Sequence, residues 1–131
     1  MNPVVHFELP FDDAERAATF YERAFGWKTQ RLGNDMGNYV VVTTAERDAI
    51  PGAPGGAING GLYEKKAGWP AQVPSIVIGV DDVRDAMAKV RDAGGEVLGE
   101  PHAIPGVGLY VSFFDTERNR VSMLQPLPRE G

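Results

Sequence analysis

The chain contains no cysteine. Disulfide staples, thiolate metal sites and cysteine nucleophiles are therefore excluded. Histidine is scarce, with only His6 and His102 present. A Ser–His–Asp arrangement has little to draw on, and neither a Gly-x-Ser-x-Gly elbow nor a dinucleotide-binding glycine fingerprint occurs. No basic run of five or more residues exists and the net charge is −5. Nucleic acid and anionic membrane surfaces, which call for Lys and Arg patches, are not expected partners. No apolar run approaches the ~20 residues needed to span a bilayer. Met1-Asn2-Pro3 lacks the charged start and apolar stretch of a signal peptide, so the expected location is the cytoplasm.

The 131 residues, 43% of them hydrophobic and 24% charged, suit one globular domain with a sizeable core. Within it the sequence repeats. Shifting the chain by 69 positions places Asp12 on Asp81, Asp13 on Asp82, Ala17 on Ala86, Ala24 on Ala93 and Gly26 on Gly95. Each aspartate pair follows an apolar run, Val4–Leu9 in one case and Ile76–Val80 in the other. Each also precedes an amphipathic stripe: Ala14, Ala17, Ala18, Tyr21 and Ala24, then Val83, Ala86, Met87, Val90 and Ala93. The aspartates can cap the orphan N–H groups of a helix, and Gly26 and Gly94-Gly95 permit a left-handed ending.

Strand-like segments follow both helices: Trp27–Leu32, Tyr39–Thr44 and Ala57–Tyr63, then Glu96–Leu98, Leu109–Phe114 and Val121–Leu124. Gly37-Asn38-Tyr39-Val40 echoes Gly108-Leu109-Tyr110-Val111, which makes Tyr39 and Tyr110 mates. The expected fold is α+β, with two pseudo-symmetric βαβββ modules forming a curved mixed sheet, a half-open barrel with helices on its convex side. Module one covers about 1–63, a linker about 64–74, and module two about 75–127 of a single domain. Ile50–Gly56 reads as a connector near a pocket mouth. It is glycine-rich but lacks the Lys-Ser/Thr ending of a phosphate loop.

Four segments, in this order and spacing, resemble the vicinal oxygen chelate superfamily of glyoxalase I, bleomycin-resistance proteins and extradiol dioxygenases. They are Val5-His6-Phe7-Glu8-Leu9 with Asp12-Asp13, Phe20-Tyr21 through Phe25-Gly26-Trp27, Val80-Asp81-Asp82-Val83 through Ala93-Gly94-Gly95, and Ile104-Pro105-Gly106-Val107-Gly108 leading to Phe113-Phe114-Asp115. The resemblance spans almost the whole chain and is nearest to uncharacterised glyoxalase-related proteins. It implies a divalent metal held by His, Glu, His and Glu, one from each of four strands. Here those positions fall on His6, on Asn59 or Gly60, on Ser75 and on Ser122. One imidazole with hydroxyls and an amide is a poor donor set for such a cation. Glu8 shares a strand face with His6 and offers a carboxylate, although two ligands from one strand is not the superfamily pattern. The superfamily's Asp-Pro-x-Gly-Asn turn is replaced by Asp115-Thr116-Glu117-Arg118-Asn119.

The expected ligand-binding residues are His6, Glu8, Tyr39, Asn59, Ser75, Tyr110, Ser112 and Ser122, with His6 and Glu8 the best candidates for any catalysis. No metal and no cofactor is expected. Each residue also has a plainer reading. His6 can be a core histidine satisfied by a neighbour or a metal ligand, Glu8 can pair with an arginine, and the tyrosines can be core. Trp69 reads as a lid or a dimer contact, and His102 as an exposed loop residue. Three functions remain open: a metal-free small-molecule-binding protein, a metal-dependent lyase, isomerase or dioxygenase with an altered ligand set, and an interaction module with a vestigial pocket. A homodimer is expected, because the architecture leaves open sheet edges.

Overall fold

A computed structural model describes residues 1–45 and 57–128. The connector expected over Ile50–Gly56 lies outside the described residues. The chain divides into two compact units, His6–Pro74 and a second made of Met1–Val5 with Ser75–Gly131. The first residues of the chain therefore associate with the second unit, where the backbone N–H of Gly79 donates to the carbonyl of Pro3 at 2.9 Å.

In the first unit, β1 (Val4–Phe11) leads into α1 (Ala14–Phe25), followed by β2 (Lys28–Arg31), β3 (Val40–Thr43) and β4 (Gly60–Glu64). The strands lie in the order β2-β3-β4-β1; β4 is parallel to β1 and antiparallel to β3, which is antiparallel to β2. In the second unit, β5 (Ser75–Gly79) leads into α2 (Val83–Asp92), followed by β6 (Glu96–Ile104), β7 (Gly108–Phe114) and β8 (Arg120–Pro126). Their order is β6-β7-β8-β5, again with one parallel and two antiparallel pairings. The two units thus share one βαβββ topology, and the α+β expectation holds. No helix among the described residues is long and apolar enough to cross a membrane.

The helices begin and end as the repeated aspartates and glycines predict. Asp13 accepts a hydrogen bond from the backbone N–H of Arg16 at 2.9 Å, and Asp82 accepts from those of Arg84 and Asp85 at 2.9 and 3.0 Å. These bonds satisfy orphan donors at the positive end of each helix dipole. Gly26 closes α1 in the left-handed region at φ 72°. In α2 the cap is Ala93 in an ordinary helical conformation, and the left-handed step falls one residue later, on Gly94 at φ 101°.

Each helix packs the first part of its stripe on its own sheet, while Ala24 and Ala93 at the stripe ends are exposed. Phe11, Val40, Val42 and Leu62 form the first core, with Phe7, Leu9, Ala14, Ala17 and Trp27 packed against it. Val80, Val83, Met87, Val111, Phe113 and Met123 form the second, flanked by Ile78, Ala86, Val90 and Val97. Fully burying one of the Val, Leu, Phe or Met side chains of these cores is worth about 1.5–3 kcal/mol. Because strand side chains alternate, the residues between these core positions face away from the helices. That alternation gives each unit a second face. In the first unit it carries His6, Glu8, Tyr39 and Gly61, and in the second Ser75, Val77, Tyr110, Ser112 and Ser122.

Two elements differ from the sequence expectation. β6 continues past Leu98 to Ile104 through a bulge between Leu98 and His102, where Gly99 takes φ 89°. His102 therefore stands on a strand opposite Tyr110, not in a loop, although it is exposed as expected. The Asp115–Asn119 turn forms without Pro or Gly. Asp115 Oδ1 accepts from the backbone N–H groups of Glu117 and Asn119 at 2.8 and 2.9 Å, and Arg118 itself takes the left-handed conformation, φ 66°. Hydrogen bonding holds the Asp115 carboxyl below the usual carboxylate range, with the side-chain amide of Asn119 the largest contributor.

Candidate functional site

Tyr39 reaches its position through an unusual approach to β3. A 3₁₀ turn at Asn34–Met36 is followed by Gly37 and Asn38, at φ 66° and 58°. Glycine adopts that conformation freely, and asparagine is among the few other residues that tolerate it. Asn38 is held by its side-chain amide, which donates to Glu64 at 3.1 Å. The chain then enters β3 with Tyr39 on the face away from α1.

There the Tyr39 hydroxyl joins two residues of β1. It lies 2.8 Å from His6 Nε2 and donates to Glu8 Oε2 at 3.2 Å. Glu8 is only 8% exposed, and a buried carboxylate requires such a partner. Burial pushes the His6 imidazole below its ordinary value of 6.5, and the Glu8 charge offsets part of that shift. Space for the phenol comes from Gly61, which pairs with Glu8 across β1 and β4 and with Val41 across β3 and β4. A Cβ at Gly61 would fall within the Tyr39 hydroxyl and ring.

In the second unit the mate of Tyr39 makes a different set of contacts. Tyr110 Oη is 2.7 Å from Ser122 Oγ, which is 2.8 Å from Ser112 Oγ. Ser122 is fully buried. Ser75 shares that face, and its buried Oγ has no hydrogen-bond partner among the described residues. The exposed His102 ring sits 5.5 Å from that of Tyr110. Asn59 lies elsewhere: its side-chain oxygen accepts from the backbone N–H groups of Thr44 and Ala45 at 2.8 and 3.2 Å and so anchors the end of β3. Trp69 is 59% exposed under the Lys66 ammonium, at 5.3 Å. On the helix side of the first unit, a concavity of about 420 Å³ is bordered by Arg16, Phe20, Tyr21 and the Lys65–Asp12 pair.

Six of the eight expected residues thus assemble into two hydrogen-bonded clusters, His6–Tyr39–Glu8 and Tyr110–Ser122–Ser112, with Asn59 and Ser75 bonded into neither. The hydrogen-bonding role of Tyr39, the space left by Gly61 and the anchoring role of Asn59 have no motif of their own. They follow from strand register. The superfamily's metal does not fit the residues present. His6 presents Nε2 to a phenol, the Asn59 oxygen is held by backbone N–H groups, Gly60 has no donor side chain, and Ser122 is bonded to two hydroxyls. Among the described residues, no group of three His, Cys, Asp or Glu side chains could hold an ion.

Residues 4–45 match the family described as bleomycin resistance protein-like N-terminal. A glyoxylase-like domain-containing protein of Didymella fabae is 32% identical over 115 residues, covering 86% of this chain and 84% of its own. CFP32 of Mycobacterium bovis, described as a candidate glyoxylase, is 28% identical over 124 residues; the match takes in 94% of this chain but only 44% of that protein. Among solved structures, a single-substitution variant of Streptomyces coelicolor methylmalonyl-CoA epimerase, in complex with 2-nitronate-propionyl-CoA, superimposes with a TM-score of 0.71 at 20% identity, over 100% of this chain and 99% of that one. The hypothetical protein BH1468 of Bacillus halodurans gives 0.72 at 13%, over 99% and 98%. These two share the fold. The chain belongs to the glyoxalase-like proteins of the vicinal oxygen chelate superfamily.

Proposed function

We propose that this protein binds a small organic molecule through the polar face of its first unit, without the superfamily's metal. The observation that carries this reading is the 2.8 Å contact between His6 Nε2 and the Tyr39 hydroxyl. It occupies an imidazole nitrogen at the first metal position, while Glu8 and Tyr39 turn the same face into a hydrogen-bonding surface. In the second unit, the hydroxyls of Tyr110, Ser112 and Ser122 and the Ser75 Oγ, which has no partner among the described residues, are likewise neutral donors and acceptors, which suit an uncharged organic group better than a cation. The relatives called glyoxylases and the epimerase bound to a CoA derivative support a small-molecule ligand in general, and none of them identifies it.

The test is a thermal-shift screen of small organic compounds against the wild type and a His6→Ala variant, with divalent metal salts in parallel. A ligand that binds only the folded state raises the melting temperature by mass action. Compounds whose stabilisation disappears in His6→Ala support the reading. Stabilisation by metal salts alone, lost in the same variant, overturns it in favour of a metal-dependent lyase, isomerase or dioxygenase. The proposed assembly is a homodimer, and light scattering giving a monomer mass contradicts it.

A further inference from the structure

Two hydrogen bonds meet at the Tyr39 hydroxyl, and that hydroxyl has one hydrogen. When it donates to the Glu8 carboxylate, it can only accept from His6, so His6 carries its proton on Nε2. The Nδ1 atom is then a bare acceptor. Among the described residues it has no hydrogen-bond partner, and the His6 ring is only half-buried. A ligand therefore meets an acceptor at Nδ1 that is wired through a phenol to a buried carboxylate.

We propose that His6, Tyr39 and Glu8 form a metal-free proton relay that takes a small molecule presenting an O–H or N–H to His6 Nδ1. This rests on the binding reading above and assigns its ligand class. The relay balances. The ligand's O–H or N–H bond breaks, its electron pair stays on the ligand, and an N–H bond forms at Nδ1. The Nε2–H proton passes to the Tyr39 oxygen while the Tyr39 proton passes to Glu8 Oε2. His6 ends neutral with its proton on Nδ1, Tyr39 ends neutral, and the negative charge has moved from Glu8 to the ligand. No oxidant, reductant or metal is required. The groups that touch or act on His6 are Tyr39 before β3 and Glu8 on its own strand; Tyr63 on β4, with its hydroxyl 3.4 Å from the Val73 carbonyl, and Lys28 on the edge strand β2 share the same sheet face.

The test is the tautomer of the neutral His6 ring, read by NMR of its ring nitrogens in the full chain at one fixed pH. The wild type is expected to hold its proton on Nε2, donated to the Tyr39 hydroxyl. Tyr39→Phe removes that acceptor and is expected to shift the population toward the Nδ1–H form. A wild-type resting proton on Nδ1, or a tautomer that Tyr39→Phe leaves unchanged, would overturn the relay. Phenol and anisole, with and without the O–H, are the paired probes. Phenol is expected to bind at least about tenfold more tightly and to move the Nδ1 resonance; equal affinity, or no movement with either, overturns the ligand class. A screened compound that binds through His6 but carries no O–H or N–H leaves the binding reading standing and sinks only the relay.

Discussion

The hydroxyl of Tyr39 occupies the space that a side chain at Gly61 would need. At the corresponding place in the second unit, the buried Ser122 meets the hydroxyl of Tyr110 at 2.7 Å. The repeat has kept a tyrosine on each polar face and changed what lies beneath it. Gly61→Ala is therefore expected to push the phenol away from His6 and Glu8. The overpacking should cost about 1–3 kcal/mol. Chemical denaturation measures that cost, and NMR of the His6 ring reports the broken contact. An alanine variant of wild-type stability with an unchanged His6 environment would show that the phenol does not depend on the glycine.

Ser122→Ala removes the hydroxyl that holds both Tyr110 and Ser112. Those two groups lose their shared partner in a half-buried setting. The expected loss is about 1–3 kcal/mol in urea unfolding. A smaller effect would mean that solvent or an outside group satisfies them.

The helix caps differ in the number of donors they serve. Asp13 accepts one backbone N–H and Asp82 accepts two. Replacement by alanine is expected to cost about 1 kcal/mol at Asp13 and up to about 2 kcal/mol at Asp82. Equilibrium unfolding of the two variants side by side checks the order, and a larger loss at Asp13 contradicts it.

Arg118 occupies the place of the superfamily's turn glycine and holds φ 66°. That conformation costs a non-glycine residue roughly 1–2 kcal/mol. Its exposed guanidinium lies 4.2 Å from the centre of the buried Phe114 ring and pairs with the exposed Glu96 at 2.9 Å. Such exposed contacts return about 0–1 kcal/mol each. Arg118→Gly should therefore be close to neutral, whereas Arg118→Ala keeps the strain, loses the contacts and should destabilise. Equal losses for the two would remove the backbone as the cause.

The topology of both units, the paired aspartate caps and the helix stripes were legible in the sequence because each is a local pattern with its own period. The extension of β6 was not, because a bulge at Gly99 breaks the alternation that marks a strand. In the candidate site, the residue types of His6, Glu8, Tyr39 and Ser122 were legible, but their partners were not. The Tyr39–Glu8 contact depends on β1 and β3 both registering on Gly61 of β4, and no single segment encodes that. The partners of Asn59 were hidden for the same reason: its side-chain oxygen accepts from the backbone N–H groups of Thr44 and Ala45, at the end of a different strand.

The His6 imidazole is held below 6.5 mainly by burial. Above that pH it is neutral in folded and unfolded chains alike and contributes no pH dependence. As pH falls below it, the unfolded chain takes up the proton first, so stability declines until the folded-state value is passed. His6→Asn is expected to flatten this part of the stability–pH curve. An unchanged slope would assign the decline to other groups.

Metal analysis of the purified protein, paired with its melting curve before and after chelator, tests metal-free binding most directly. Tight sites of the superfamily's kind need three or four protein donors, and here His6 Nε2 lies within hydrogen-bond distance of Tyr39, at 2.8 Å. The expected result is no stoichiometric zinc, nickel, iron or manganese and a melting temperature that chelator leaves unchanged. About one metal per chain, with a fall in melting temperature on chelation that His6→Ala reproduces, would contradict it.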